Sequence, residues 1–180
     1  MSKGYTFKSD TDTEVIIAAF IEWGEKCLDM FNGMWTFAIW DRLEKKMFIS
    51  RDRFGIKPLY IANQGGRIAF ASEMKAIMPL LDKTDIDRSL IERYLKNPHY
   101  EMQDECLVEE IKRFPAGFCA WIDASGNIEM KRWWNTLDHI VDVPAAYEEQ
   151  VEKFRELFLD SCRIRMRSDV TLGTALSGGL

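Results

Sequence analysis

A run of strand character, Val170–Leu176, leads into Ser177-Gly178-Gly179. A strand entering such a triplet is how a phosphate-cradling loop begins. Glycines let backbone N–H groups approach an anion, and a following helix presents its positive N-terminus. The Gly-Lys-Ser/Thr of a Walker loop is absent, and Ser-Gly-Gly by itself reads first as a plain glycine turn or frayed end. Ala175–Gly179 also comes close to the G-x-S-x-G nucleophile elbow, but no acid or histidine follows Ser177 to complete it. A second segment, Arg51–Tyr60, combines a charged strand end, a bend at Gly55 and a strand begun by Pro58. Its charges are expected to pair and shape the bend, with ligand contact as the other use. Cysteines stand at 27, 106, 119 and 162, with no CxxC pair and no zinc spacing. They read as reduced core thiols, Cys27 and Cys162 on apolar helix faces. His99 and His139 lie in loop-like segments without a Cys, His or acid cluster, and read as surface or packing residues.

The elements that position these groups follow from period and punctuation. Thr11-Asp12-Thr13-Glu14 has the pattern of a capping box, with Thr11 at the cap and Glu14 three residues on. Asp12 then helps to cap a helix whose apolar stretch runs from Val15 to Phe31 and stops at Asn32-Gly33. Four strand-like runs follow, Trp35–Trp40, Lys46–Arg51, Pro58–Ala62 and Arg67–Ala71, and predict an antiparallel meander covered on both faces. Helices fit Ser72–Leu81 and Ser89–Lys96, and a hairpin fits Gly117–Asp123 with Asn127–Trp133. Asn135–Pro144 reads as a domain boundary, dividing 1–143 from 144–180. A helix over 145–167 and a buried strand over Val170–Leu176 complete the chain.

Composition bounds the function. Of 180 residues, 47% are hydrophobic and 12% aromatic, which leaves ample apolar surface for a core. The net charge of −5 argues against nucleic acid or an anionic membrane as partner. No apolar stretch approaches the 18 or more residues of a membrane span, and the first residues carry no apolar signal region.

Several segments occur in a telling order: Asp12-Thr13-Glu14-Val15, Leu28–Met34, Arg51–Tyr60, Phe70–Ala76, Phe114-Pro115-Ala116-Gly117 and Leu176–Leu180. Together they closely resemble the glutamine-hydrolysing asparagine synthetase family. The resemblance implies an α+β fold: an incomplete αββα sandwich of the N-terminal-nucleophile hydrolase type. The first helix and strand of an α/β ATP-pyrophosphatase domain would follow it. Residues 1–143 would be most of a class II glutamine amidotransferase domain, and 144–180 the start of the ATP-binding synthetase domain. The implied activity is cytoplasmic asparagine biosynthesis. Ammonia from glutamine hydrolysis would amidate aspartate through a β-aspartyl-AMP intermediate, with ATP and Mg²⁺, in a parent that could be a homodimer.

Carried over residue by residue, Asp12 matches the aspartate that pairs with the α-ammonium of glutamine, a task suited to a charged acceptor. Ala175, Leu176, Ser177, Gly178 and Gly179 match the family's ATP-binding segment. The family nucleophile is an N-terminal cysteine whose own α-amine is the base. Met1-Ser2-Lys3 does not match it, so an internal fragment lacking the nucleophile is expected, catalysing neither half-reaction alone. Unpaired sheet edges would then favour association. Other amidotransferase-ligases of the same architecture, β-lactam synthetase-like or peptide-amidating, fit the same residues. A non-catalytic binding remnant is the alternative outside the enzymes.

Overall fold

Phe48 and Ile49 are neighbours in the chain and both fully buried, yet they belong to different cores. Successive side chains of a strand point to opposite faces, so this strand must be covered on both sides. The computed structural model describes residues 4–97, 105–175 and 178, and explains how.

Two sheets carry the fold. β1 (Thr36–Asp41), β2 (Lys46–Arg51), β6 (Phe118–Ile122) and β7 (Ile128–Arg132) form one, in the order β1-β2-β6-β7. β4 (Arg67–Ala71), β3 (Tyr60–Gln64) and β5 (Ile111–Arg113) form the other, in that order. All pairings are antiparallel, with Ile49 opposite Ala120 and Ala62 opposite Ile111.

Three apolar clusters mark three interfaces between layers. Ile49, Leu59, Ile61, Phe114, Ala120 and Ile122 lie between the two sheets. On the outer face of the first sheet, Phe48 and Cys119 meet Ala19, Cys27 and Leu28 of helices α1 (Asp12–Trp23) and α2 (Cys27–Met30). Phe48 contacts Phe20 and Trp121 with ring centroids at 4.8 and 5.0 Å. On the outer face of the second sheet, Ala62 and Ile111 meet Ile77 of helix α3 (Met74–Ile77). The layers are therefore helix, sheet, sheet, helix. Helix α4 (Arg88–Lys96) starts at Asp87, whose carboxylate accepts the Leu90 N–H.

Several sequence expectations are corrected. The single helix through Phe31 is broken: Gly24 takes φ 57° and ψ −141°, and a 3₁₀ turn Gly24–Lys26 precedes α2. The capping box is not formed. Thr11 sits at the N-cap without a side-chain cap bond, its hydroxyl 3.0 Å from Ser9 Oγ, while Glu14 accepts the Lys8 and Ser9 N–H groups. The four runs do not form one meander. Between β2 and β3 the chain crosses from one sheet to the other, and the free edges of β2 and β3 pair with β6 and β5. Strand β5 has only three residues, too few to show a period. The expected helix over Ser72–Leu81 shrinks to α3 and a 3₁₀ turn, Met78–Leu80.

The described chain divides into two compact units, Met1–Thr136 and Leu137–Leu180. The second is dominated by helix α5 (Tyr147–Arg165), none of whose residues is buried. The buried strand expected over Val170–Leu176 is absent. Residues 170–175 have no regular structure and are exposed, and among the described residues none pairs with their backbone as a strand; Leu176 lies outside the described residues. No described helix is long and apolar enough to cross a membrane.

Candidate functional site

Asp12 is the first residue of α1 and lines a cavity of about 290 Å³. Val15 and Ile16 of the next turn form the near wall, and the chain from Met30 to Trp35 forms the far wall. The arrangement places one carboxylate beside an otherwise mostly apolar hollow, at the small end of the range for ligand sites. It suits a small molecule with a cationic head and a short aliphatic stem. Among the described residues Asp12 makes no side-chain hydrogen bond or ion pair, so the capping role expected for it is not seen.

The far wall is held from behind by Arg51–Lys57. Asp52 is 1% exposed, and its two carboxylate oxygens accept three backbone N–H groups: Phe54 at 3.1 Å, Ile56 at 3.0 Å and Lys57 at 2.9 Å. Arg51, also buried, donates to the carbonyls of Lys57, Gly55 and Phe114. The expected shaping of this bend is thus achieved by bonds to main-chain groups. Gly55, at φ 65°, and Gly117, at φ 69°, complete it. Gly117 N–H donates to the Asp52 carbonyl, and the Gly117 carbonyl accepts the Trp133 and Trp134 N–H groups.

Arg53 leaves the bend in the direction of α2. Its guanidinium donates to the carbonyls of Asp29 and Phe31 and lies 4.6 Å from the Trp134 ring, 5.2 Å from Trp133 and 5.8 Å from Trp35. Trp35 and Trp133 stack at 5.6 Å. Burial pushes the Arg53 guanidinium below its ordinary value, partly offset by the charge of Asp29. Sequence reasoning did not find this group. Arg53 and Trp133 are 80 positions apart, and only the pairing of β6 with β2 and β7 brings them together.

The remaining sequence candidates are scattered. Cys27, Cys106 and Cys119 are buried; the thiols of Cys27 and Cys119 are pushed up to about 11, burial being the main cause. They are core residues, as expected, whereas Cys162 is exposed. His139 lies in a 3₁₀ turn and is exposed; His99 lies outside the described residues. Ala175 is exposed in irregular chain, and Gly178 has φ 69° with open space around it. Leu176, Ser177 and Gly179 lie outside the described residues. Among the described residues there is no group of three His, Cys, Asp or Glu side chains placed to hold a metal ion.

Two stacked antiparallel sheets between helix layers are the fold of the N-terminal-nucleophile amidotransferases. Glutamine phosphoribosylpyrophosphate amidotransferase of Bacillus subtilis shares it, with a TM-score of 0.51 over 74% of this chain and 25% of that one, at 19% identity. Residues 1–134 match the glutamine amidotransferase domain, and the chain belongs to that family. Among curated proteins it is 32% identical over 179 residues to glutamine-hydrolysing asparagine synthetase 1 of Bacillus subtilis, covering 99% of this chain and 28% of that protein. It is 33% identical over 184 residues to a putative glutamine-hydrolysing asparagine synthetase of Mycobacterium tuberculosis, covering 98% of this chain and 28% of that protein. Asparagine synthetase B of Escherichia coli is 32% identical, with 98% and 26% covered. The chain thus spans little more than a quarter of the length of these relatives.

Proposed function

We propose that this chain is the glutamine-recognising part of a ligase that makes asparagine, and that Asp12 binds the α-ammonium of glutamine. The observation that carries the reading is the Asp12 carboxylate at the small cavity between α1 and the Met30–Trp35 wall. It offers an ionic acceptor for the ammonium and apolar contact for the stem. The relatives named above support the reaction class. In it, water and the side-chain amide of glutamine give glutamate and ammonia. Aspartate and ATP give β-aspartyl-AMP and pyrophosphate, and ammonia then displaces AMP to form asparagine.

On the same reading, 1–143 is the amidotransferase domain and 144–180 opens the ATP-binding domain. Ala175 to Gly179 would lie at the nucleotide. No step is assigned to Mg²⁺ on the described residues. A cytoplasmic setting is supported by the buried thiols Cys27 and Cys119. A homodimeric parent belongs to the same proposal.

The test is saturation-transfer NMR of the 180-residue chain with L-glutamine and with its analogue lacking the α-amine, 4-carbamoylbutanoate. L-glutamine is expected to bind, and Asp12→Asn to weaken it by about tenfold or more, the scale of one charge-assisted hydrogen bond. The analogue should bind the two proteins alike. Equal glutamine binding by Asp12→Asn and the wild type overturns the assignment.

A further inference from the structure

The Met30–Trp35 wall is anchored at its far end, where the Trp35 carbonyl accepts the Asp52 N–H at 3.0 Å. The Trp35 indole N–H donates to Ser50 Oγ, and its ring is buried with Phe31 against it, so it is the Met30–Met34 stretch that needs holding. Helix α2 has only four residues, and the chain turns extended at Phe31 with φ −79° and ψ 131°. The carbonyls at such a helix end lack intrahelical partners and need others. Phe31 N–H bonds back to the Leu28 carbonyl; Asn32, Gly33 and Met34 are exposed. The two arms of the Arg53 guanidinium supply what the helix end lacks, taking the carbonyls of Asp29 and Phe31, on either side of Met30.

Arg53 is itself fixed at both ends. Its backbone leaves the buried Asp52 bend, and its guanidinium lies within 6 Å of Trp35, Trp133 and Trp134. A cation over aromatic faces is attracted to them, and a planar fork loses little further freedom when it bridges two acceptors. A continuous path of contacts therefore runs from the core, through Arg53, to the chain that faces Asp12 across the cavity.

We infer that Arg53 is a positioning residue for the Asp12 cavity: its fork, seated on three tryptophans, fixes the far wall and so sets the affinity for the amino-acid ligand. The inference rests on the reading of Asp12 as the ammonium-binding carboxylate. Lysine keeps the charge over the rings, but its donors sit on one nitrogen at the end of a flexible stem and lack the rigid two-nitrogen fork that spans both carbonyls. In Arg53→Lys of the 180-residue chain, the ¹⁵N order parameters of Asn32, Gly33 and Met34 should fall from the rigid range, about 0.85, to below about 0.6. The dissociation constant for L-glutamine should rise about five- to tenfold, with a melting temperature within about 2 °C of wild type. Arg53→Gln, with one amide donor, gives a second variant should the lysine protein not fold.

Unchanged order parameters and unchanged affinity overturn the inference. So does a lowered melting temperature with unchanged affinity, which marks Arg53 as a purely structural residue. If Asp12→Asn loses glutamine and Arg53→Lys does not, the inference fails while the site assignment stands. If the wild type binds no glutamine, the site assignment fails and the inference falls with it.

Discussion

Replacing Asp52 by asparagine removes a charge without changing the shape of the side chain, and the geometry allows only a losing choice. One carboxylate oxygen accepts from Phe54 and Ile56, the other from Lys57. An asparagine that keeps its oxygen on the Phe54 side retains two bonds and turns an NH₂ donor against the Lys57 N–H. Flipped, it retains the Lys57 bond and loses the other two. At best one bond to a charged group is lost and a buried N–H is left facing a donor, a cost of about 2 kcal/mol. Alanine removes both acceptor oxygens and with them all three bonds, for about 4–5 kcal/mol. The assay is urea unfolding followed by tryptophan fluorescence. All six tryptophans lie within Met1–Thr136, so the signal reports that unit alone. With a slope of about 2 kcal/mol per molar, the midpoint should fall by about 1 M for asparagine and about 2 M for alanine, at unchanged slope. An asparagine variant as stable as wild type, or an alanine variant no worse than asparagine, would refute the claim that these three bonds hold the bend.

Gly117→Ala meets both a left-handed backbone, φ 69°, and a Cβ 2.8 Å from the Trp134 carbonyl oxygen. It should lose about 2–4 kcal/mol in the same unfolding assay, more than an alanine at open Gly33. Glu25 gives a pH signature. Burial raises its carboxyl, but hydrogen bonds from Lys131 and Trp121, with the Lys131 charge, outweigh that and leave it below the ordinary range. A depressed folded-state value stabilises fully above the unfolded value, near pH 4.3, and the contribution is lost as pH falls through the folded one. Between pH 5 and 3, wild type should therefore lose about 0.5–1 kcal/mol more than Glu25→Gln. Equal acid sensitivity would show that the carboxylate adds nothing there.

What was legible in the sequence was local. Lys46–Arg51 and Arg67–Ala71 read as strands at their observed bounds, because alternation and turn residues act within a few positions. The 118–132 hairpin was legible through its Ala124-Ser125-Gly126 turn. The ordered segments around Asp12, Leu28–Met34 and Arg51–Tyr60 also pointed to an amidotransferase. Gly24 as a helix breaker was in plain view, but one glycine inside an apolar helical pattern is often tolerated.

Only the tertiary structure decided which strands share a sheet. Strand β2 is buried on both faces whether it pairs with β3 or β6, so apolar content alone could not choose. The choice is made by the bend that Asp52, Arg51 and Gly117 hold, which carries the chain from one sheet to the other. The cavity likewise joins the start of α1 to residues some twenty positions later. Arg53 reaches that wall only because β6 and β7 bring Trp133 and Trp134 beneath it. Residue type and spacing determine an element within one turn or one strand. A site assembled from distant segments depends on how the layers close over their shared apolar faces, and that is a property of the whole fold.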